Sequence, residues 1–128
     1  MKIGFRELNV YQMAYKMAMS VFEMTKTFPG IEKYSLIDQI RRSSRSVCSN
    51  IGEGYRKRQY PTHFASKMSD ADMENTETQI WLDFALSCKY ISTEIHEKHI
   101  KTSESIGRML YQMIKNPKKF QDKPQSYK

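Results

Sequence analysis

Residues 36–54 read LIDQIRRSSRSVCSNIGEG, and this stretch decides the fold. Ile37, Ile40, Ser44, Val47 and Ile51 recur at spacings of three and four, the period of one helical face. Asp38, Arg41, Arg42 and Arg45 fall on the other side. Ser43, Ser44, Ser46, Cys48 and Ser49 are small and let a neighbouring helix approach closely. Ser35 with Asp38 three residues on resembles a capping box, and Gly52 and Gly54 mark the end. The stretch therefore reads as a helix over Leu36–Gly54 whose apolar seam needs partner helices.

The same period appears three more times. A first helix is expected over Glu7–Thr27. Its polar positions Asn9, Gln12, Lys16, Ser20, Glu23 and Thr27 form one narrow stripe, and nearly everything else is apolar. One bundle core cannot cover that much of a helix, so a second partner surface is implied. Phe28-Pro29-Gly30 stops it. A third helix is expected over Thr62–Tyr90, with Phe64, Met68 and Ala71 opening its stripe and Trp81, Leu82, Ala85, Leu86 and Cys88 closing it. Its middle, Asp72 to Gln79, is polar. A fourth is expected over Ser92–Lys115, with Ile95, His99, Thr102, Ile106, Met109 and Met113 in register. No β-type alternation and no internal repeat appear. The fold expected is all-α, an up-down-up-down four-helix bundle over residues 1–115. The tail, 116–128, has two Pro, several Lys and few core residues, and reads as disordered.

A chain of 128 residues is one domain's worth and needs no disulfide or metal to hold together. No run of about 18 apolar residues exists to span a membrane, and the first ten residues do not read as a signal peptide. Cys48 and Cys88 form no disulfide framework; both read as buried free thiols, which suits a cytoplasmic protein.

The net charge of +7 is segregated. Residues 35–61 carry six basic and two acidic side chains, and the tail 115–128 carries five and one. Residues 62–90 carry two basic and five acidic. The sharpest positive cluster is Arg41, Arg42 and Arg45, followed by Arg56, Lys57 and Arg58 in a connector, Tyr55–Pro61, where Tyr55 and Tyr60 bracket the basic triplet. Cations at this spacing neutralise phosphates while tyrosine rings stack on unpaired bases. These eight residues are the candidate nucleic-acid-binding set. The bland alternative is a solvated loop with helix ion pairs, such as Asp38 with Arg42. Arg41, Arg42 and Arg45 would otherwise pair with Asp70, Asp72, Glu74 or Glu77, within a chain or between subunits.

Catalytic and metal chemistry find little footing. No Glu stands three residues before His63, His96 or His99, as a di-iron bundle needs. His96 and His99 are spaced to share an ion but lack an evident third ligand. There is no GxSxG, no GxGxxG and no GxxxxGK phosphate loop. Trp81 reads as a core anchor. No enzyme activity, cofactor or metal is expected.

Three stretches together carry a family resemblance: Phe5-Arg-Glu-Leu-Asn-Val-Tyr-Gln12, Tyr34 to Gly54, and Ile106-Gly-Arg-Met-Leu110. Within the second, Asp38-Gln-Ile-Arg-Arg-Ser-Ser44 and Asn50-Ile-x-Glu-Gly54 are the specific signatures. The chain resembles the four-helix-bundle family first named for open reading frames in intervening sequences of bacterial large-subunit ribosomal RNA genes. The resemblance spans about Phe5 to Lys115. It implies an up-down bundle assembling as a ring-like homopentamer. It also implies kinship with accessory subunits of retroelements that bind nucleic acid and a reverse transcriptase. This chain departs from the pattern at Gly52, where Ala is usual, and in the polar stretch Asp70 to Gln79. The function expected is a non-enzymatic homo-oligomeric scaffold with a basic surface for RNA or DNA. The alternative is a protein-interaction adaptor that uses its Arg stripe in subunit pairing.

Overall fold

Helices form where the three-four period runs longest: α1 (Asn9–Thr25), α2 (Leu36–Arg56), α3 (Pro61–Ser87) and α4 (Thr93–Lys115). The computed structural model describes residues 4–122, and the described part of the chain contains no strand. Single 3-10 turns precede α1 (Phe5–Glu7), lead into α2 (Gly30–Glu32) and follow α4 (Pro117–Phe120). The architecture is an up-down four-helix bundle. α1 packs on α2 and α4, and α3 packs on the same two, so α1 and α3 lie across the diagonal.

The core sits on the expected seams. Ile40, Ile51, Phe64, Met68, Leu82, Ile106 and Leu110 are sealed from solvent, each worth about 1.5–3 kcal/mol of transfer free energy. The seam of α4 is His99, Ser103, Ile106, Leu110 and Met113, while Ile95 is exposed. Part of the polar middle of α3, Asn75 and Thr78 with Gln79 beside them, also faces inward. Asn75 Nδ2 donates to the Ser103 carbonyl (2.9 Å), Ser103 Oγ donates to Asn75 Oδ1 (2.8 Å), and Gln79 Nε2 donates to Ser103 Oγ (2.8 Å). Thr78 Oγ1 also donates to the Glu74 carbonyl (2.9 Å) and Ser43 Oγ to the Ile40 carbonyl (3.3 Å), and the two hydroxyls are hydrogen-bonded to each other at 2.8 Å. These mutual bonds remove the cost of burying the polar groups.

Helix ends differ from the sequence reading in two places. Ser35 makes no cap to α2; it donates instead to Glu32, which accepts from the Leu36 amide (3.4 Å) and from Tyr90 (2.8 Å). The anion at the α2 N-terminus is thus Glu32, brought in by a preceding turn. Hydrogen bonds from Ser35 and Tyr90 hold its carboxyl below the usual range, and the Tyr90 hydroxyl is pushed up to about 12 by the same pair. Gly52 and Gly54 do not end α2, which continues to Arg56. Neither has positive φ. At Gly54 α3 crosses close by: a Cβ there would lie 2.8 Å from Lys67 Cβ and Met68 Cε.

Within the stretch expected to be a disordered tail, Pro117–Phe120 form a 3-10 turn. Phe120 stacks on buried Phe64 (5.4 Å, 23°), and Gln121 Nε2 donates to the Gln59 carbonyl (3.1 Å). These contacts strap the chain back onto the α2–α3 turn. Residues 123–128 lie outside the described part. The two thiols also differ from expectation: Cys88 is exposed, and Cys48 is half-buried, its thiol pushed up to about 11 by burial.

Candidate nucleic-acid interface

The eight predicted contact residues fall into two groups. α2 carries Arg41, Arg42 and Arg45 on one exposed flank, where with Lys33 and Tyr34 they line a groove of about 600 Å³. Tyr55 to Tyr60 lies a helix half-length away, over the last turn of α2 and the tight turn before α3.

Half of the set is committed to holding the bundle together. Arg41 Nε donates to Thr25 Oγ1 (2.8 Å) and its Nη2 to the Phe22 carbonyl (3.4 Å), while the guanidinium lies 4.6 Å from the Phe22 ring centre. A cation there satisfies the open carbonyl end of α1. Arg42 reaches Glu77 at 2.7 Å and Glu74 at 3.7 Å, so the expected pairing with α3 closes within one chain. Glu77 also accepts from Trp81 Nε1 (3.3 Å), which leaves Trp81 at the edge of the core rather than inside it.

Tyr55 and Arg58 are not free to meet a ligand. Tyr55 is buried. Arg58 lies 4.3 Å over its ring, donates to its carbonyl (3.0 Å) and grips Asp122 with Nε (3.2 Å) and Nη2 (3.1 Å). That forked pair, on an Arg side chain only 14% exposed, is the buried anchor of the strap. The connector therefore does not present its basic triplet as a unit.

Arg45, Arg56, Lys57 and Tyr60 remain exposed. Among the described residues none of these three cations has a carboxylate partner. The strap adds Lys118 and Lys119, both exposed, to the same end of the bundle as Arg56 and Lys57. Tyr60 packs edge-on to His63 (6.1 Å), which leaves most of its ring in solvent. Sequence reasoning left the tail lysines out of the candidate set; Phe120 was the one sign that they would be held in place.

The histidines do not converge. His99 Nδ1 donates to the Ile95 carbonyl (2.7 Å) and its Nε2 accepts from Ser20 (2.8 Å), whereas His96 turns to Asp83 (2.7 Å). No group of three or more metal-ligating side chains occurs among the described residues.

Residues 6–112 match the family model described as 23S rRNA-intervening sequence protein, which spans all four helices. The chain belongs to this family. Its fold is shared with a crystal structure from Bacteroides thetaiotaomicron, of a protein of unknown function from the S23 ribosomal protein family. That likeness has a TM-score of 0.74 and 27% identity, over 83% of this chain and 95% of the other. A search of curated proteins gave no match. Neither description of these intervening-sequence relatives carries a catalytic activity. The strap, Pro117–Asp122, lies beyond the matched residues. No helix among the described residues is long and apolar enough to cross a membrane.

Proposed function

We propose that this family member is a non-enzymatic, homo-oligomeric helical scaffold that binds RNA or DNA through its unpaired cations. The observation that carries the reading is the set Arg45, Arg56, Lys57, Lys118 and Lys119, exposed and without acidic partners among the described residues. Such side chains neutralise phosphates and release counterions, and Tyr60 offers an aromatic face to an unpaired base. Arg41, Arg42, Tyr55 and Arg58 leave the contact set and become supports of the surface. An oligomer repeats the patch on every subunit, which multiplies affinity when one nucleic acid spans several. A ring of five in the cytoplasm, with a reverse transcriptase as protein partner, is what the family resemblance adds.

Fluorescence anisotropy with a labelled RNA hairpin and with duplex DNA tests it. At about 50 mM salt the wild type binds at least one of them, and Arg56→Glu/Lys57→Glu weakens binding about tenfold or more, whereas Arg42→Ala changes it little. Absence of wild-type binding to both probes at that salt overturns the reading.

A second reading, a protein-interaction adaptor without nucleic-acid contact, draws on a different observation: the apolar groove between α1 and α2. Its Arg stripe, however, is already spent within the chain at Arg41 and Arg42.

A further inference from the structure

Two apolar features lie on opposite corners of the bundle. The first is a groove of about 580 Å³ between α1 and α2. Tyr11, Tyr15 and Met19 form one wall, and Cys48, Ser49 and Gly52 form a floor of small residues. Tyr15 and Met19 are 53% and 45% exposed. The second is a ridge on α3. Met73, Ile80 and Phe84, with Glu77 between them, follow each other at spacings of four, three and four. The three apolar side chains are 70%, 45% and 54% exposed. That spacing is a helical seam of the kind that packs on another helix, yet among the described residues no helix packs over Met73, Ile80 and Phe84.

The two features are opposite in charge. Arg45 and Arg56 stand on the groove. Glu53, the acid beside them, is turned to Lys67 of its own chain (3.8 Å). The ridge is flanked by Asp70 and Asp83, both exposed; Asp83 also holds His96. Arg45 and Arg56, eleven residues apart, share one face of α2, while Asp70 and Asp83, thirteen apart, stand on either side of the ridge. The floor of Cys48, Ser49 and Gly52 would let a helix backbone come close.

We infer that the α3 ridge of one copy seats in the α1/α2 groove of the next. This rests on the homo-oligomer reading above and names its faces. Because α1 and α3 lie across the bundle diagonal, the two faces point away from each other. One copy therefore cannot satisfy both faces against a single partner. The contact is head-to-tail, and repetition closes a ring or runs on as a filament. Arg45 and Arg56 then face the acids of the next copy, while Lys57, Lys118 and Lys119, which do not line the groove, stay open to a nucleic acid at the bundle end.

Sedimentation of the full chain tests the pairing, with circular dichroism as the check on folding. The wild type sediments well above 15.1 kDa. Met73→Glu/Ile80→Glu blocks the ridge and Tyr15→Glu blocks the groove, and each alone gives a folded monomer. Met73→Ser/Ile80→Ser, a milder change at exposed positions, shifts the mass in the same direction. Mixing the ridge-blocked and groove-blocked variants restores one good junction and gives a species of about 30 kDa, twice 15.1 kDa. A face-to-face dimer predicts no such pairing in the mixture, and its absence overturns the assignment. Ridge variants that stay fully assembled overturn the faces but not the oligomer. A wild-type monomer overturns both.

Discussion

Replacing Gly54 with alanine sets helix propensity against packing, and the coordinates decide which wins. Alanine in a helix interior is favoured over glycine by about 1 kcal/mol. At Gly54 the added methyl would meet Lys67 Cβ and Met68 Cε at 2.8 Å. The methionine end can swing aside, but the Lys67 Cβ is fixed to the α3 backbone. Because that contact is anchored on backbone, forcing the helices apart costs about 2–3 kcal/mol, so Gly54→Ala is destabilising by about 1–2 kcal/mol net. Gly52 is the internal control. Its new methyl would meet Phe5 Cδ2 at 3.3 Å, and Phe5 sits in a short turn outside the bundle that can give by a few tenths of an ångström. Gly52→Ala is therefore neutral or stabilising by up to about 1 kcal/mol. Urea melts at one fixed protein concentration read the difference, about 1–3 kcal/mol between the variants, or roughly 3–10 °C in Tm. Two variants moving the same way, or Gly54→Ala matching the wild type, would refute the close-approach argument.

Phe120→Ala removes the stack on Phe64 and costs about 1–3 kcal/mol; limited trypsin digestion then cuts faster after Lys118 and Lys119. Ser103→Ala leaves Asn75 Oδ1 and Gln79 Nε2 without their buried partner and costs about 1–3 kcal/mol in urea melts. Ser43→Ala costs about 1 kcal/mol or less, because Thr78 keeps its bond to the Glu74 carbonyl. At pH 8 a thiol reagent labels Cys88 first and Cys48 at least about tenfold more slowly, since burial holds Cys48 protonated with a pKa of about 11. Cys88→Ser abolishes the fast phase.

The seam Ile37-Ile40-Ser44-Val47-Ile51 was legible because hydrophobic period and helix period coincide; all five residues are buried. The polar middle of α3 was less so. Asn75, Thr78 and Gln79 look like a solvent face in sequence, and only the facing Ser43 and Ser103 show that they are satisfied inside. The candidate site was legible in composition but not in allocation. A run of cations does not say which are consumed by carbonyl ends and carboxylates distant in sequence. Arg41 was taken by Thr25 and Phe22, 16 and 19 residues away, and Arg58 by Asp122, 64 residues away. Arg45, Arg56 and Lys57 escaped because their flank of α2 faces the open groove and the bundle end.

The salt dependence of RNA binding tests the central claim most directly. Each phosphate contact contributes about one to the slope of log K against log salt. The account predicts a steep slope for the wild type between about 50 and 200 mM salt, and a slope shallower by about two per engaged subunit in Arg56→Glu/Lys57→Glu. A flat wild-type slope, or one the double variant leaves unchanged, would contradict it.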